Sequence, residues 1–206
     1  MHRLPKEPLI LVVLVTLILW TGLFPPVTLP QENPTTWEVY FSPRGECTSE
    51  IVKELSKAKD SVLVQAYSFT SAPIAKALLN AHKRGVKVEV ILDRSQRTQK
   101  YSSATFLYNV GIPVKIDAQH AIAHNKVMIF DGEIVITGSF NFTNAAEKRN
   151  AENLLIIHDR KLAEKYVQNW LEHAQHSDAY VGNGVTKRGP VLQKLVQEKD
   201  KVSGPE

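Results

Sequence analysis

From Trp37 onward, apolar runs of strand length alternate with stretches of helical periodicity, and this alternation limits the possible folds more than any other feature of the chain. Trp37–Phe41 reads as a strand, Ser49–Ala58 as a helix and Ser61–Ser68 as a β-rich run. A second helix covers Ile74–Arg84 and stops at Gly85, with Lys83 and Arg84 in its last turn; Val86–Leu92, rich in Val and Ile, follows as a strand. A helix over Ser102–Asn109, closed by Gly111 and Pro113, precedes short strands at Val114–Ile116, His124–Phe130, Glu133–Thr137 and Asn153–Ile157. The long final helix, Lys161–His173, carries Leu162, Tyr166, Val167 and Trp170 close to a helical period. The pattern predicts the α/β class, as an α/β/α sandwich around a mostly parallel sheet. No internal repeat is visible.

The N-terminal thirty residues belong to a different physical regime. Leu9–Phe24 is almost wholly apolar and follows Arg3 and Lys6, the order of a signal peptide or an uncleaved signal anchor, here expected as one apolar helix. The uncharged span runs on through Pro25, Pro26 and Pro30 without a clear A-x-A site, enough for the ~20 residues that cross a bilayer, so the anchor is the preferred reading. Basic residues ahead of the run predict export of the rest, to the cell envelope or periplasm. Residues 31–36 are a Pro- and Thr-rich linker, 37–180 the folded domain, and 181–206, with its glycines and charged end, a flexible tail.

Composition excludes some chemistries. The single cysteine, Cys47, rules out an internal disulfide, a Cys-rich zinc module and a CxxC redox pair. A net charge of +4 is a modest hint of a polyanionic partner.

The chemistry concentrates in HNKVMIFDGEIVITGSFN, His124 to Asn141. Asp131-Gly132 is a favoured two-residue hairpin loop, and the runs beside it are strongly β-forming. With that loop, Phe130 pairs with Glu133, Lys126 with Thr137 and His124 with Ser139, so imidazole, ammonium and hydroxyl share one face with Asn141 just beyond. Lys126 offers a point charge to a phosphate, and Ser139 and Asn141 offer hydrogen bonds. Asp131, seven extended residues or about 23 Å from His124, is assigned to the turn instead.

The residues His124, Lys126, Asp131, Gly138, Ser139 and Asn141 read H-x-K-x4-D-x6-G-S-x-N, and the chain thereby resembles the phospholipase D superfamily, above all its small single-motif bacterial Nuc-type endonucleases and short phospholipase D-like members. The likeness extends from Trp37 to Gln175. It implies a metal-independent phosphodiesterase with no cofactor: the His124 counterpart attacks phosphorus, a second histidine protonates the leaving oxygen, and water releases the phosphohistidine. It also implies phosphate binding by Lys126 and Asn141, and orientation of the nucleophile by Glu152. Because the chemistry needs two motifs and the chain has one, a homodimer with a shared site is expected.

Other residues carry weaker expectations. His120 and His124 would lie ~13 Å apart on extended chain, which argues against a metal pair, and no metal site is expected. Ser68 and Thr70 could line the pocket, whereas Gln65, Tyr67 and Phe69 read as core or sheet-face positions. Arg94, Arg97 and Lys100, and Lys148 and Arg149, could contact a polyanion or be solvated loop residues. The expected substrate is DNA or RNA, with phosphatidylcholine-like phospholipid, hydrolysed to phosphatidic acid, as the alternative. A non-catalytic nucleic-acid-binding module is disfavoured, since binding needs charge but no nucleophile.

Overall fold

Two runs rich in Val, Leu and Ile, Ser61–Ala66 and Lys87–Asp93, are joined by a helix that opens with Pro73 and ends ahead of Gly85, and this βαβ unit organises the molecule. The protein was analysed as a computed structural model, which describes residues 34–182. The chain divides into two units, Met1–Pro34 and Thr35–Glu206. The expected N-terminal helix, the first half of the linker, and the tail beyond Gly182 lie outside the described residues. In order, the elements are β1 (Thr36–Ser42), α1 (Cys47–Lys57), β2 (Ser61–Ala66), α2 (Ala72–Lys83), β3 (Lys87–Asp93), a single 3₁₀ turn (Arg94–Arg97), α3 (Ala104–Asn109), β4 (Val114–Asp117), β5 (Lys126–Phe130), β6 (Ile134–Gly138), α4 (Asn144–Lys148), β7 (Glu152–His158), α5 (Arg160–His176) and β8 (Asp178–Ala179).

The strands form one sheet in the order β1-β7-β6-β5-β2-β3-β4-β8. One face buries Ile51, Leu55, Ile74, Leu78 and Leu107 of α1, α2 and α3 against Val62, Val64, Met128 and Ile156. The other packs α5, through Ala163, Trp170 and Ala174, on Ile91, Val127, Ile129 and Val135, and the Trp170 indole donates to the Val64 carbonyl at 3.0 Å. The α/β/α sandwich is therefore as the sequence predicts.

The expected mostly parallel sheet is not what forms. Only β2 with β3 and β3 with β4 pair in parallel; β1–β7, β7–β6, β6–β5, β5–β2 and β4–β8 are antiparallel. Parallel neighbours need a crossover of about a dozen residues or more, usually helical, and only α2 and α3 supply one between adjacent strands. In the second half a tight loop joins β5 to β6, and the connection to β7 contains only the short helix α4.

The hairpin register also differs by one residue. Phe130 pairs with Ile134, Ile129 with Val135 and Met128 with Ile136, so the loop is Asp131-Gly132-Glu133. Both Asp131 (φ 54°) and Gly132 (φ 67°) are left-handed, and Glu133 N–H donates to the Phe130 carbonyl at 2.9 Å. Continued, this register sets Lys126 opposite Gly138, not Thr137.

Asp131 does the structural work expected of it. Its carboxylate accepts the backbone N–H groups of Lys59 (3.1 Å to Oδ2), Asp60 (2.8 Å to Oδ1) and Ser61 (2.9 Å to Oδ1), tying the hairpin tip to the entry of β2. Replacing Asp131 with Ala leaves those donors to water and puts a non-turn residue at a left-handed position. Stability should fall by about 1.5–3 kcal/mol, read as a lower urea midpoint with unchanged m-value.

Candidate active site

Strand direction gathers the motif at one edge of the sheet. β2, β3 and β4 run in parallel and end at Ala66, Asp93 and Asp117; β5, antiparallel to β2, begins there with Lys126 opposite Ala66. β6 runs antiparallel to β5 and reaches the same edge at Gly138, and β7 starts from it at Glu152. This is the edge beyond the carboxyl ends of parallel strands, where open α/β sheets bind ligands. Asp131, at the opposite end of the hairpin, is excluded from it.

Lys126 is 7% exposed, whereas His124, just ahead of the strand, is exposed. The Lys126 ammonium donates to the His124 carbonyl at 2.7 Å and lies 5.1 Å from the centre of the Tyr67 ring. Burial lowers the Lys126 pKa from its ordinary value, and the Glu152 carboxylate opposes that shift. The lysine thus fixes the backbone at the histidine while retaining N–H groups for an anion. Tyr67 touches both residues, its ring centre 4.6 Å from that of His124 and tilted by 53°. The sequence reading assigned Tyr67 to the core or sheet face; its place at the carboxyl end of a parallel strand is the signal that could have found it.

The second arm is held by its own bonds and not by the hairpin register. At Gly138 (φ 137°) the strand bulges, and both Ser139 and Phe140 N–H donate to the Asn153 carbonyl, at 3.1 and 3.2 Å. A Cβ at Gly138 would meet that carbonyl oxygen at 2.4 Å, so the motif glycine is a close-approach residue. Ser139 Oγ accepts the Asn153 N–H at 3.0 Å, leaving its own O–H free to donate. Phe140 and Phe142 are fully buried and alternate with Ser139 and Asn141. Phe142 bridges to Phe69, and its carbonyl accepts from Thr70 and Ser71, so the Asn141 segment lies beside the chain that follows Tyr67. Asn141 has a buried terminal amide atom, Oδ1, without a protein partner.

Glu152 accepts from the Asn150 side chain at 3.0 Å and acts on Lys126 through its charge. No hydrogen bond from it to His124 is formed among the described residues, so the expected orienting contact is replaced by an electrostatic one to the lysine. The backbone ahead of His124 is set instead by Asp93, whose buried Oδ2 accepts the Ala123 N–H at 2.8 Å. His120 is turned away from His124, toward Asp117. Ser68 and Thr70 are half-buried in this region, and Gln65 is buried with an unpartnered Nε2. Arg97 is engaged by Asp178 at 3.3 Å, and Lys100 lies over the Tyr101 ring, while Lys148 and Arg149 are exposed at the end of α4. Cys47 is wholly enclosed; burial, with the Glu147 carboxylate second, pushes its thiol up to about 11, far from thiolate chemistry.

A family model described as "Cardiolipin synthase, PLD-like domain" matches residues 51–174, and that span contains the whole constellation. The chain belongs to the phospholipase D superfamily. It is 51% identical over 139 residues to a protein named "Phospholipase D" from Rickettsia prowazekii, covering 68% of each chain. It is 34% identical over 122 residues to "Mitochondrial cardiolipin hydrolase" of Xenopus tropicalis, covering 59% of this chain and 58% of that one. Among solved structures, Nuc from Salmonella typhimurium, a phospholipase D family member, superposes with a TM-score of 0.69 at 38% identity, over 71% of this chain and 99% of the other. The protein is a phosphodiester hydrolase of this superfamily.

The Lys126–Glu152 coupling has a measurable sign. Glu152 holds the Lys126 pKa up against burial, so Glu152→Gln should lower it further. The Lys126 side-chain resonances, followed by NMR against pH, should therefore titrate at lower pH in the variant than in the wild-type protein, and an unmoved titration would remove Glu152 from this role.

Proposed function

We propose that the chain hydrolyses phosphodiester bonds through a phosphohistidine on His124, in a site completed by a second copy, with nucleic acid as substrate. The carrying observation is one exposed imidazole set beside a buried ammonium, with a free hydroxyl hydrogen on Ser139 and the Asn141 amide, whose Nδ2 can donate, just beyond it. A ring nitrogen of His124 attacks phosphorus as the bond to the leaving oxygen breaks, and a second imidazole gives that oxygen its proton. Water then attacks the phosphohistidine, losing a proton to the second imidazole, and His124 is regenerated. Lys126, Ser139 and Asn141 bind the non-bridging oxygens, whose charge grows in each transition state.

The second imidazole has to come from another molecule. Of the other described histidines, His120, His173 and His176 surround Asp117, His158 ends β7 at the far edge of the sheet, and His82 lies on α2 near Gly111. The edge strand β1 supports pairing of two copies: Trp37 and Phe41 are 65% and 62% exposed, and Phe41 pairs with Asn153 next to the Ser139 bulge. Exposed Lys148 and Arg149, close after the motif, favour a polyanion. The phospholipid reading is favoured by the names of the Rickettsia and Xenopus relatives and by Ile122, exposed two residues before His124. The apolar Leu9–Phe24 segment supports an exported, membrane-anchored placement in the cell envelope or periplasm.

Purified full-length chain, incubated in excess EDTA well below its melting temperature, should cleave single-stranded DNA, duplex DNA or RNA, and leave phosphatidylcholine vesicles intact. Cleavage of the vesicles alone would favour the lipid reading. Turnover lost on chelation and restored by magnesium or calcium, which a site of three imidazoles and one carboxylate does not favour, would overturn the mechanism. Acid quenching with phosphorus-labelled substrate should trap an acid-labile adduct on wild-type protein and none on His124→Ala.

Sharing of the site has its own test. After complete exchange between equal amounts of wild-type and His124→Ala subunits, verified with mass tags, about a quarter of the dimers remain wild-type on random pairing, and activity should fall to that level. Activity that falls only to half would mean that each chain works alone.

A further inference from the structure

A second cluster of chemically capable side chains lies away from His124. Asp117 ends β4 with its side chain wholly buried. Its Oδ1 accepts the backbone N–H groups of Gln119 and His120, at 3.1 and 3.3 Å. Its Oδ2 meets three imidazole nitrogens: His173 Nδ1 at 2.7 Å, His120 Nδ1 at 2.9 Å and His176 Nε2 at 3.3 Å. His173 and His176, three residues apart at the end of α5, occupy one helix face. The ring centres lie 4.7, 5.2 and 5.3 Å from one another, and one ligand atom from each of the four residues lies within 4.8 Å of every other. Three strand spacings separate β4 from β5, roughly 14 Å, so this is not part of the phosphodiesterase site.

Hydrogen bonding alone accounts poorly for this arrangement. A carboxylate oxygen has lone pairs for about two well-directed bonds, and three donors would compete for Oδ2. Protonating the rings to strengthen those bonds would set imidazolium charges against each other at stacking distance. An ion bound by the ring lone pairs removes both difficulties. Tetrahedral zinc, with bonds of about 2.0–2.1 Å, holds neighbouring ligand atoms about 3.3 Å apart. The nitrogen-to-Oδ2 separations of 2.7, 2.9 and 3.3 Å need a small expansion to meet that geometry, and the four ligand atoms, all within 4.8 Å of one another, need a contraction of the wider edges that side-chain rotation supplies.

We propose that Asp117, His120, His173 and His176 bind one divalent transition-metal ion, zinc by its donor set, in a structural site that fastens the last turn of α5 to the loop leading to His124. Three imidazoles and one carboxylate suit zinc, whereas calcium and magnesium take oxygen ligands. Four protein ligands fill the tetrahedron, which makes the ion a staple and not a catalyst. The backbone N–H groups on Asp117 Oδ1 supply the outer contacts that orient a ligating carboxylate. The same loop is held at its other end by the bond from Ala123 to Asp93, so the ion would fix the segment on both sides of Ile122. Spacing could not reveal the set, because 56 residues of chain separate Asp117 from His173.

The test uses untagged full-length chain, stripped with chelator and dialysed. Zinc titrated against a competing fluorescent chelator should bind at one equivalent per chain and raise the melting temperature by roughly 5–10 °C at a hundredfold excess over Kd. Cobalt in place of zinc should give the strong visible bands of a tetrahedral site, without the thiolate charge-transfer band that Cys47 would produce. His120→Ala, at a half-exposed position, should fold normally and bind at least tenfold more weakly, with His173→Ala weaker still. Absence of stoichiometric binding, an unmoved melting temperature or octahedral cobalt bands would overturn the proposal and leave a hydrogen-bonded cluster only. Wild-type affinity in a folded His120→Ala protein would overturn it equally.

Discussion

A buried ammonium at the start of β5 sets the terms for everything around it. Removing a lysine from water is costly unless polar or charged groups replace the lost hydration. Lys126 finds three: the carbonyl of His124, the face of Tyr67 and the negative charge of Glu152. Each ties a different stretch of chain to the same point, so compensating the charge also assembles the site. The compensation is incomplete, since the lysine's pKa is still depressed, and an incoming phosphate would supply the missing negative charge. On the proposed function, the anion's place in the site follows from how the lysine is buried.

That arrangement depends in turn on strand direction. Because β5 runs against β2, its first residue lies beside the carboxyl end of the parallel strands, where β6 finishes and β7 begins. Five connections therefore meet at one edge, and their polar side chains are held by the ends of a stiff sheet. The aromatic residues of the motif serve the same end: Phe140 and Phe142 are buried so that Ser139 and Asn141 are held in fixed positions between them. Gly138 allows the close approach to Asn153 from which this alternation starts. Asp131 belongs to the motif yet works at the other end of the hairpin, where three backbone donors fix the tip against the entry of β2.

Local sequence settled the elements whose causes are local. The helix over Ala72–Lys83 follows from Pro73 near its start, its apolar stripe and Gly85 after its end; the strands at β2 and β3 follow from their concentration of Val, Leu and Ile. The residues of the motif, the hairpin at Asp131-Gly132 and the separation of Asp131 from the histidine were legible for the same reason. Sheet polarity was not. Alternation of strands and helices resembles a parallel sheet until one asks which connections are long enough to cross over, and the answer depends on which strands become neighbours. The one-residue change in register has a related cause, since two left-handed residues are compatible with either loop and the longer one lets Asp131 reach the chain ahead of β2.

By itself, then, the sequence determined the α/β class and the motif, because these depend on residue type and on spacing within some twenty positions. Tertiary structure alone decided that Tyr67 joins His124 and Lys126, that Glu152 acts on the lysine's charge, and that Asp93 holds the loop before the histidine. It also decided that His120, four residues from His124, is committed to Asp117, His173 and His176. Each of these contacts joins segments far apart in the chain, and their meeting is set by strand order and by the docking of α5, which no local pattern of residues encodes.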